Sequence, residues 1–425
     1  MCFLSTVLLT MLLVATSEPA LGQAGSPARP TQEDPNRSSL ARGEELLQSG
    51  QVAKAEEKFG EVLKRDPRNL DALIWLGQIA LTQKNVAKAE ELARRAQSID
   101  AKHPATHALL GLVYGARNQL AKARSEFQTA IHLNPAYLPP YMLIAQTYLA
   151  ENKTDEAIGQ YQAALKVAPD NAVVRQTLVM AYMQAGRLAE AINETTVLIK
   201  QRPQDPALHN TLGALYGRSG SPTKALQEFQ EALKLNPKFG PAYLNIGDNY
   251  LAQNDRPRAL ESYLKAGQLT PALDEAHRKA GDLYLADKKI DEAIAAYRRA
   301  LMANPNDVLA LANLARIYTE DRKDLTQALD LAQQAERLAP KDWYVKDVLG
   351  WALYETGKTP EAVKRLEEAR ALDARAPRLR YHLGMAYLKQ GKKKEAATEL
   401  RTALDLAPNM AQRDQVNRIL DDLGH

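Results

Sequence analysis

The chain has 425 residues, with 55 basic against 51 acidic side chains and a formal charge of +4. The two signs nearly cancel, which excludes the broad positive field that polyanion binding needs, so nucleic acid is not an expected partner. Hydrophobic residues make up 45% and aromatic residues only 6%, an alanine-weighted balance that suits closely packed helices better than sheets.

In chain order, the first signal is an apolar run from Phe3 to Ala15, followed by the polar break Ser17-Glu18-Pro19 and the small residues Ala20 and Gly22. That order predicts a secretory signal over 1–22, cleaved near Gly22, and a periplasmic or secreted protein. An uncleaved N-terminal membrane anchor is the alternative, since no Lys or Arg precedes the run. Against it, the run is interrupted by Ser5, Thr6 and Thr10 and falls short of the ~20 apolar residues that a spanning helix needs. No later segment approaches a transmembrane stretch. The sole cysteine, Cys2, falls in the segment expected to be removed, so disulfides and thiolate chemistry are excluded from the mature chain. Residues 23–35 lack periodicity and are expected to form a flexible leader.

From residue 36 the chain becomes periodic. Pro135, Pro169, Pro203, Pro237, Pro271 and Pro305 stand 34 residues apart, and the series extends to Pro67, Pro340 and Pro408 with one extra residue before Pro340. With that proline at place 32, eleven units cover 36–69, 70–103, 104–137, 138–171, 172–205, 206–239, 240–273, 274–307, 308–342, 343–376 and 377–410. Place 20 is alanine in all eleven, from Ala55 to Ala396, which marks a helix–helix contact. Place 8 is glycine in eight units, with Ala145, Val179 and Ala315 as exceptions. Glycine costs about 1 kcal/mol inside a helix, so close backbone approach is expected there. Place 11 is often Tyr, and place 24 carries Phe59, Phe127, Tyr161, Phe229, Tyr263 and Tyr297. Apolar places recur at three- and four-residue spacing over two stretches separated by turns such as Gln184-Ala185-Gly186-Arg187, so each unit is predicted to be a helical hairpin. Pro222, Pro257, Pro360, Pro139, Pro140 and Pro241 fall at helix starts, where the missing N–H costs nothing. Residues 411–425 place Val416, Ile419, Leu420 and Leu423 on one stripe, predicting a C-terminal capping helix.

Leu-Gly at places 7 and 8, Tyr at 11, Ala at 20, an aromatic at 24, Ala at 27 and Pro at 32 resemble the tetratricopeptide repeat family over nearly the whole mature chain. The resemblance implies an all-α fold, a right-handed superhelical α-solenoid whose stability is largely packing between neighbouring repeats. It also implies that places 2, 5, 9, 12 and 13 of each first helix face a concave groove. On that footing the candidate partner-binding residues are Met142, Gln146, Met180 and Met183 in an apolar stretch. Arg278, Asp282, Arg316, Tyr344, Asp347, Trp351, Tyr354 and Tyr381 form a charged and aromatic stretch that also holds Glu320, Glu355, Arg378 and Met385. Methionines adapt to varied peptide surfaces, and aromatic and arginine anchors dominate many interfaces. The alternatives are that the methionines pack between first helices and that Trp351 is buried against Tyr354 or Tyr381.

No catalytic residue, metal site or cofactor site is expected. His107, His209 and His277 share place 4 of units three, six and eight, too far apart to converge on a metal. No phosphate-binding glycine loop or paired-carboxylate site competes. The expected function is a non-enzymatic protein–protein interaction scaffold of the bacterial envelope that binds partner proteins or peptide segments. Residues 309–408 resemble repeats of exopolysaccharide export and PEP-CTERM-associated proteins. A carbohydrate-binding groove, with glycan as ligand, and a regulatory arm of a separate envelope enzyme are the alternatives.

Overall fold

The computed structural model describes residues 34–424. The expected signal and the leader up to residue 33 lie outside the described residues. The chain divides into two compact units at Ser219 and Gly220, and among the described residues every regular element is a helix.

The first unit opens with α1 (Pro35–Gln48) and α2 (Val52–Arg65). The hairpins α3 (Leu70–Thr82) with α4 (Val86–Ile99), α5 (Pro104–Ala116) with α6 (Leu120–Leu133), α7 (Pro139–Ala150) with α8 (Thr154–Val167) and α9 (Ala172–Gln184) with α10 (Leu188–Gln201) follow, and α11 (Pro206–Arg218) packs on α10. The second unit begins with α12 (Pro222–Leu235). It continues through α13 (Gly240–Ala252) with α14 (Arg256–Leu269), α15 (Asp274–Ala286) with α16 (Ile290–Ala303), α17 (Val308–Glu320) with α18 (Leu325–Leu338), α19 (Trp343–Glu355) with α20 (Thr359–Leu372), and α21 (Pro377–Lys389) with α22 (Lys393–Leu406). The last helix is α23 (Arg413–Asp422).

Local sequence explains where these helices start. Asn69, Asn171, Asp307 and Asp342 cap first helices with side-chain oxygens that accept from backbone N–H groups, satisfying donors that have no intrahelical partner. Asp34 does the same for α1, accepting from the Asn36 N–H at 2.9 Å. The expected leader 23–35 is therefore corrected at its end: Asp34-Pro35 is a cap followed by a first-turn proline, and the helix begins there.

The turn inside each repeat contains one residue in the left-handed region: Gly50, Lys84, Asn118, Asn152, Gly186, Gly220, Asn254, Lys288, Lys323, Gly357 and Gly391, with φ from 54° to 79°. They keep the 34-residue period, with one residue added in the α17–α18 turn. Three are lysines, which pay the steric cost of that region for want of a glycine.

Place 20 lies at the centre of the packing, and all eleven alanines from Ala55 to Ala396 are 0% exposed. The glycines at place 8 make room for a side chain and not, as expected from sequence, mainly for backbone. A methyl on Gly43, Gly111, Gly247 or Gly281 would come within 3 Å of the ring of Phe59, Phe127, Tyr263 or Tyr297 at place 24 of the same repeat. Gly350 and Gly384 stand in the same way against Leu366 and Leu400. Where place 8 is the larger Val179, place 24 is the smaller Thr195, and both are buried. Volume is exchanged between two places so that interior packing stays dense. At the C-terminus, Val416 and Leu420 cover Ala397, Leu400 and Ala403 of α22, so the last hairpin buries its apolar face under α23.

Candidate functional site

The first helices of the second unit are joined by polar links between successive repeats. Lys279 Nζ donates to both oxygens of Asp248 at 2.6 and 2.7 Å. Asn313 Nδ2 donates to Asp282 Oδ1 at 3.0 Å, and the Tyr344 hydroxyl donates to Asn313 Oδ1. Arg378 donates through Nε and Nη2 to Asp347 Oδ2 at 3.2 and 2.9 Å. Every one of these pairs is 31 residues apart. That separation is one repeat less about one helical turn, so each rung joins a residue to the facing turn of the next first helix. Second helices contribute too: the Tyr263 and Tyr297 hydroxyls donate to Asp248 and Asp282 at 2.7 Å each. Burial first, then the adjacent aspartate, pushes both phenols well above their ordinary pKa.

The densest part of this ladder is around Asp347. Its side chain is 0% exposed, and besides Arg378 it binds His382, whose Nδ1 lies 2.7 Å from Oδ1. Burial acts to raise the Asp347 pKa, but His382 and Arg378 outweigh it and hold the carboxyl below the ordinary aspartate value. Trp351 lies one turn further along α19. Its ring is stacked on His382, with centroids 4.1 Å apart, and on Tyr354 at 4.6 Å, while Tyr381 is tilted at 6.1 Å. Arg378 lies over the Tyr344 ring at 5.1 Å and Lys389 over Tyr354 at 4.4 Å. Trp351 and Tyr354 stay partly exposed, and the Trp351 indole N–H has no hydrogen-bond partner among the described residues. Trp75 in the first unit differs, because its N–H donates to Glu44 at 3.1 Å.

The structure sorts the candidate residues. Met142 and Gln146 are corrected: they are 1% and 7% exposed, because α7 is covered by its neighbours on almost every side. Met142 is a core residue packed with Leu138, Ala145 and Tyr161. Met183 is partly buried against the same core, whereas Met180 is 56% exposed. Asp347 and Tyr381, the latter 7% exposed, are corrected likewise. Asp347 is sealed by Arg378 and His382, and Tyr381 packs under α23 with its hydroxyl directed at Gln415. Arg278 is held by Asp282, Asp307 and Glu275. Arg316 forms no ion pair or hydrogen bond with a described residue, and its Nε is buried without an acceptor. Tyr344, Asp347, Trp351, Tyr354 and Tyr381 come together, joined by Arg378 and His382. Sequence reading passed over His382 at place 6; the signal for it is the 31-residue step from Trp351.

The place-4 histidines have local roles. His107 is bracketed by Glu126 at 2.7 Å and the Ala101 carbonyl at 2.9 Å, and His277 faces the Pro271 carbonyl at 3.3 Å. Among the described residues no group of three His, Cys, Asp or Glu side chains is placed to hold a metal ion, and no helix is long and apolar enough to cross a membrane.

A tetratricopeptide repeat model matches residues 40–104, 244–308, 278–342 and 348–411, and two further models of that repeat match 148–215 and 206–239. The chain belongs to the tetratricopeptide repeat family, whose members generally mediate protein–protein interaction and typically act as non-enzymatic scaffolds. No curated protein matches its sequence. Among solved structures it is similar to the APC/C hetero-tetramer Cut9–Hcn1, at 15% identity over 98% of this chain and 99% of that one with a TM-score of 0.49. It is also similar to yeast Tom70, at 14% identity over 92% and 95% with a TM-score of 0.42, and to pilF of Pseudomonas aeruginosa, at 17% identity over 50% and 96% with a TM-score of 0.43. Likeness at these scores adds no argument about partners.

Proposed function

We propose that this chain is a non-enzymatic scaffold of the bacterial envelope that holds segments of partner proteins against the first helices of its second unit, in the export or assembly of exopolysaccharide or envelope proteins. The observation that carries the binding role is the Trp351–Tyr354 surface: a large, rigid, partly exposed aromatic pair with an indole donor left open. Rigid aromatic side chains give much contact area for little entropy loss, and an open donor adds direction. The envelope role is supported by the apolar run Phe3–Ala15 and the small residues after it.

The test is affinity capture by the mature chain from envelope extract, run in parallel with Trp351→Ala. A specific protein retained by the parent and lost with the variant is expected. Equal recovery by both would sink the assignment of the surface, and recovery of glycan alone would favour the carbohydrate reading. Fractionation followed by N-terminal sequencing checks the location; a cytoplasmic chain with its first residues intact would overturn it.

A further inference from the structure

The ladder of the second unit is interrupted at Arg316. Asp248, Asp282, Asn313 and Asp347 each reach a polar group 31 positions further on. Arg316 lies three residues after Asn313 on α17, and the same step from it leads to Asp347. That carboxylate is already used, Oδ1 by His382 and Oδ2 by Arg378. Asp282, at the same place of the preceding repeat, is taken by Tyr297, Asn313 and Arg278. Glu320, one turn along α17, contributes to the field at Arg378 but makes no ion pair with Arg316. Arg316 thus has a buried Nε and no acceptor among the described residues, although guanidinium groups in protein interiors are ordinarily paired.

We propose that Arg316 receives the carboxylate of an aspartate or glutamate side chain in the partner segment, while Trp351 receives a large apolar or aromatic side chain of the same segment. This rests on the reading that partner segments lie along these first helices. A guanidinium favours a planar carboxylate, which it binds through parallel N–H donors. One cation beside the unpaired Glu320 suits a single negative charge better than the near-dianionic charge of a phosphate. Arg316 and Trp351 occupy place 9 of successive repeats. Packed helices stand about 8–10 Å apart and an extended chain advances about 3.3 Å per residue, so the acidic and apolar residues are about three positions apart in the partner.

The experiment is panning of an N-terminally displayed random dodecapeptide library, with no free peptide C-terminus, on the purified protein, on Arg316→Gln and on Trp351→Ala. The expected result is an enriched motif pairing Asp or Glu with a large apolar residue about three positions away, with the acidic preference lost on Arg316→Gln. For a synthetic winner, replacing its acid by the amide should weaken binding about tenfold or more to the parent and little to Arg316→Gln, the non-additivity that marks a direct contact. Because Arg316 satisfies no described partner, Arg316→Gln should melt at the parent temperature or above, which a structural arginine would not do. A motif without an acid, or an acidic preference unchanged in Arg316→Gln, overturns the inference and leaves the scaffold reading standing if Trp351→Ala still abolishes enrichment. Dependence of the synthetic winner on a free C-terminal carboxylate would also overturn it. No enrichment on the parent protein would sink both.

Discussion

The first helices of the two units use one repeat pattern to different ends. In the first unit α3, α5 and α7 are buried on nearly all sides by apolar side chains, His107 is satisfied by Glu126 of its own hairpin, and a rung of this kind, from the Trp75 N–H to Glu44, joins α3 to α1. In the second unit the same faces carry Asp248, Lys279, Asp282, Asn313, Tyr344, Asp347 and Arg378, linked repeat to repeat. An apolar seam is non-directional and tolerates small slips, whereas a rung at 2.6–3.2 Å fixes which turn faces which. The rungs also consume polar groups, so the few left open become informative.

The largest effect expected in the polar seam is from Asp347→Ala. It strands His382 and Arg378 without their acceptor, and loss of about 3 kcal/mol is expected by urea unfolding, at the low end for a broken buried pair because Arg378 is 31% exposed. In the apolar seam, Met142→Ala should cost about 2–3 kcal/mol through the cavity it leaves, while Met180→Ala should change stability by less than about 0.5 kcal/mol. Equal effects of the two methionine substitutions would remove the distinction between core and surface along that stretch.

A pH series sharpens the same contrast. The Asp347 pKa is lowered in the folded chain, so its contribution is fully present above the unfolded aspartate value of about 3.9 and is lost as pH falls through the folded value. The stability gap between the parent and Asp347→Asn should therefore narrow only on acidification below about pH 4, and a gap that narrows between pH 5 and 7 would point to another group. The smallest effect is expected in the turns: Lys288→Gly should stabilise by about 0.5–1 kcal/mol, because Lys288 sits at φ 57°.

Much of the fold was legible because each place repeats. Ala at place 20 and the proline period required a helix contact and a hairpin, and the structure has both. The role of place 8 was half legible: the glycines and the large rings that fill the space beside them are in the sequence, but the close approach expected of a backbone is made by the place-24 side chain itself. The candidate site was less legible. The resemblance gives the face a residue occupies but not how deeply the next helix covers it, so Met142 and Met180 read alike in sequence and differ completely in exposure. His382 and the open Arg316 depend on which partners are already taken, a property of pairs about one repeat apart rather than of any single position.

The exchange of volume between places 8 and 24 also bears on how such an array can be lengthened or shortened. Phe59 fills the space over Gly43, and Tyr263 that over Gly247, within one hairpin, so a duplication or deletion cut between hairpins carries both halves of the fit together. A cut in the turn between them would pair a ring with whatever the donor repeat held at place 8, and Val179 would refuse it. Gly77 is the exception, since Leu109 of the following repeat stands over it: there the heritable module is two adjacent repeats, and recombination that separated them would leave a void in one product and an overfilled core in the other.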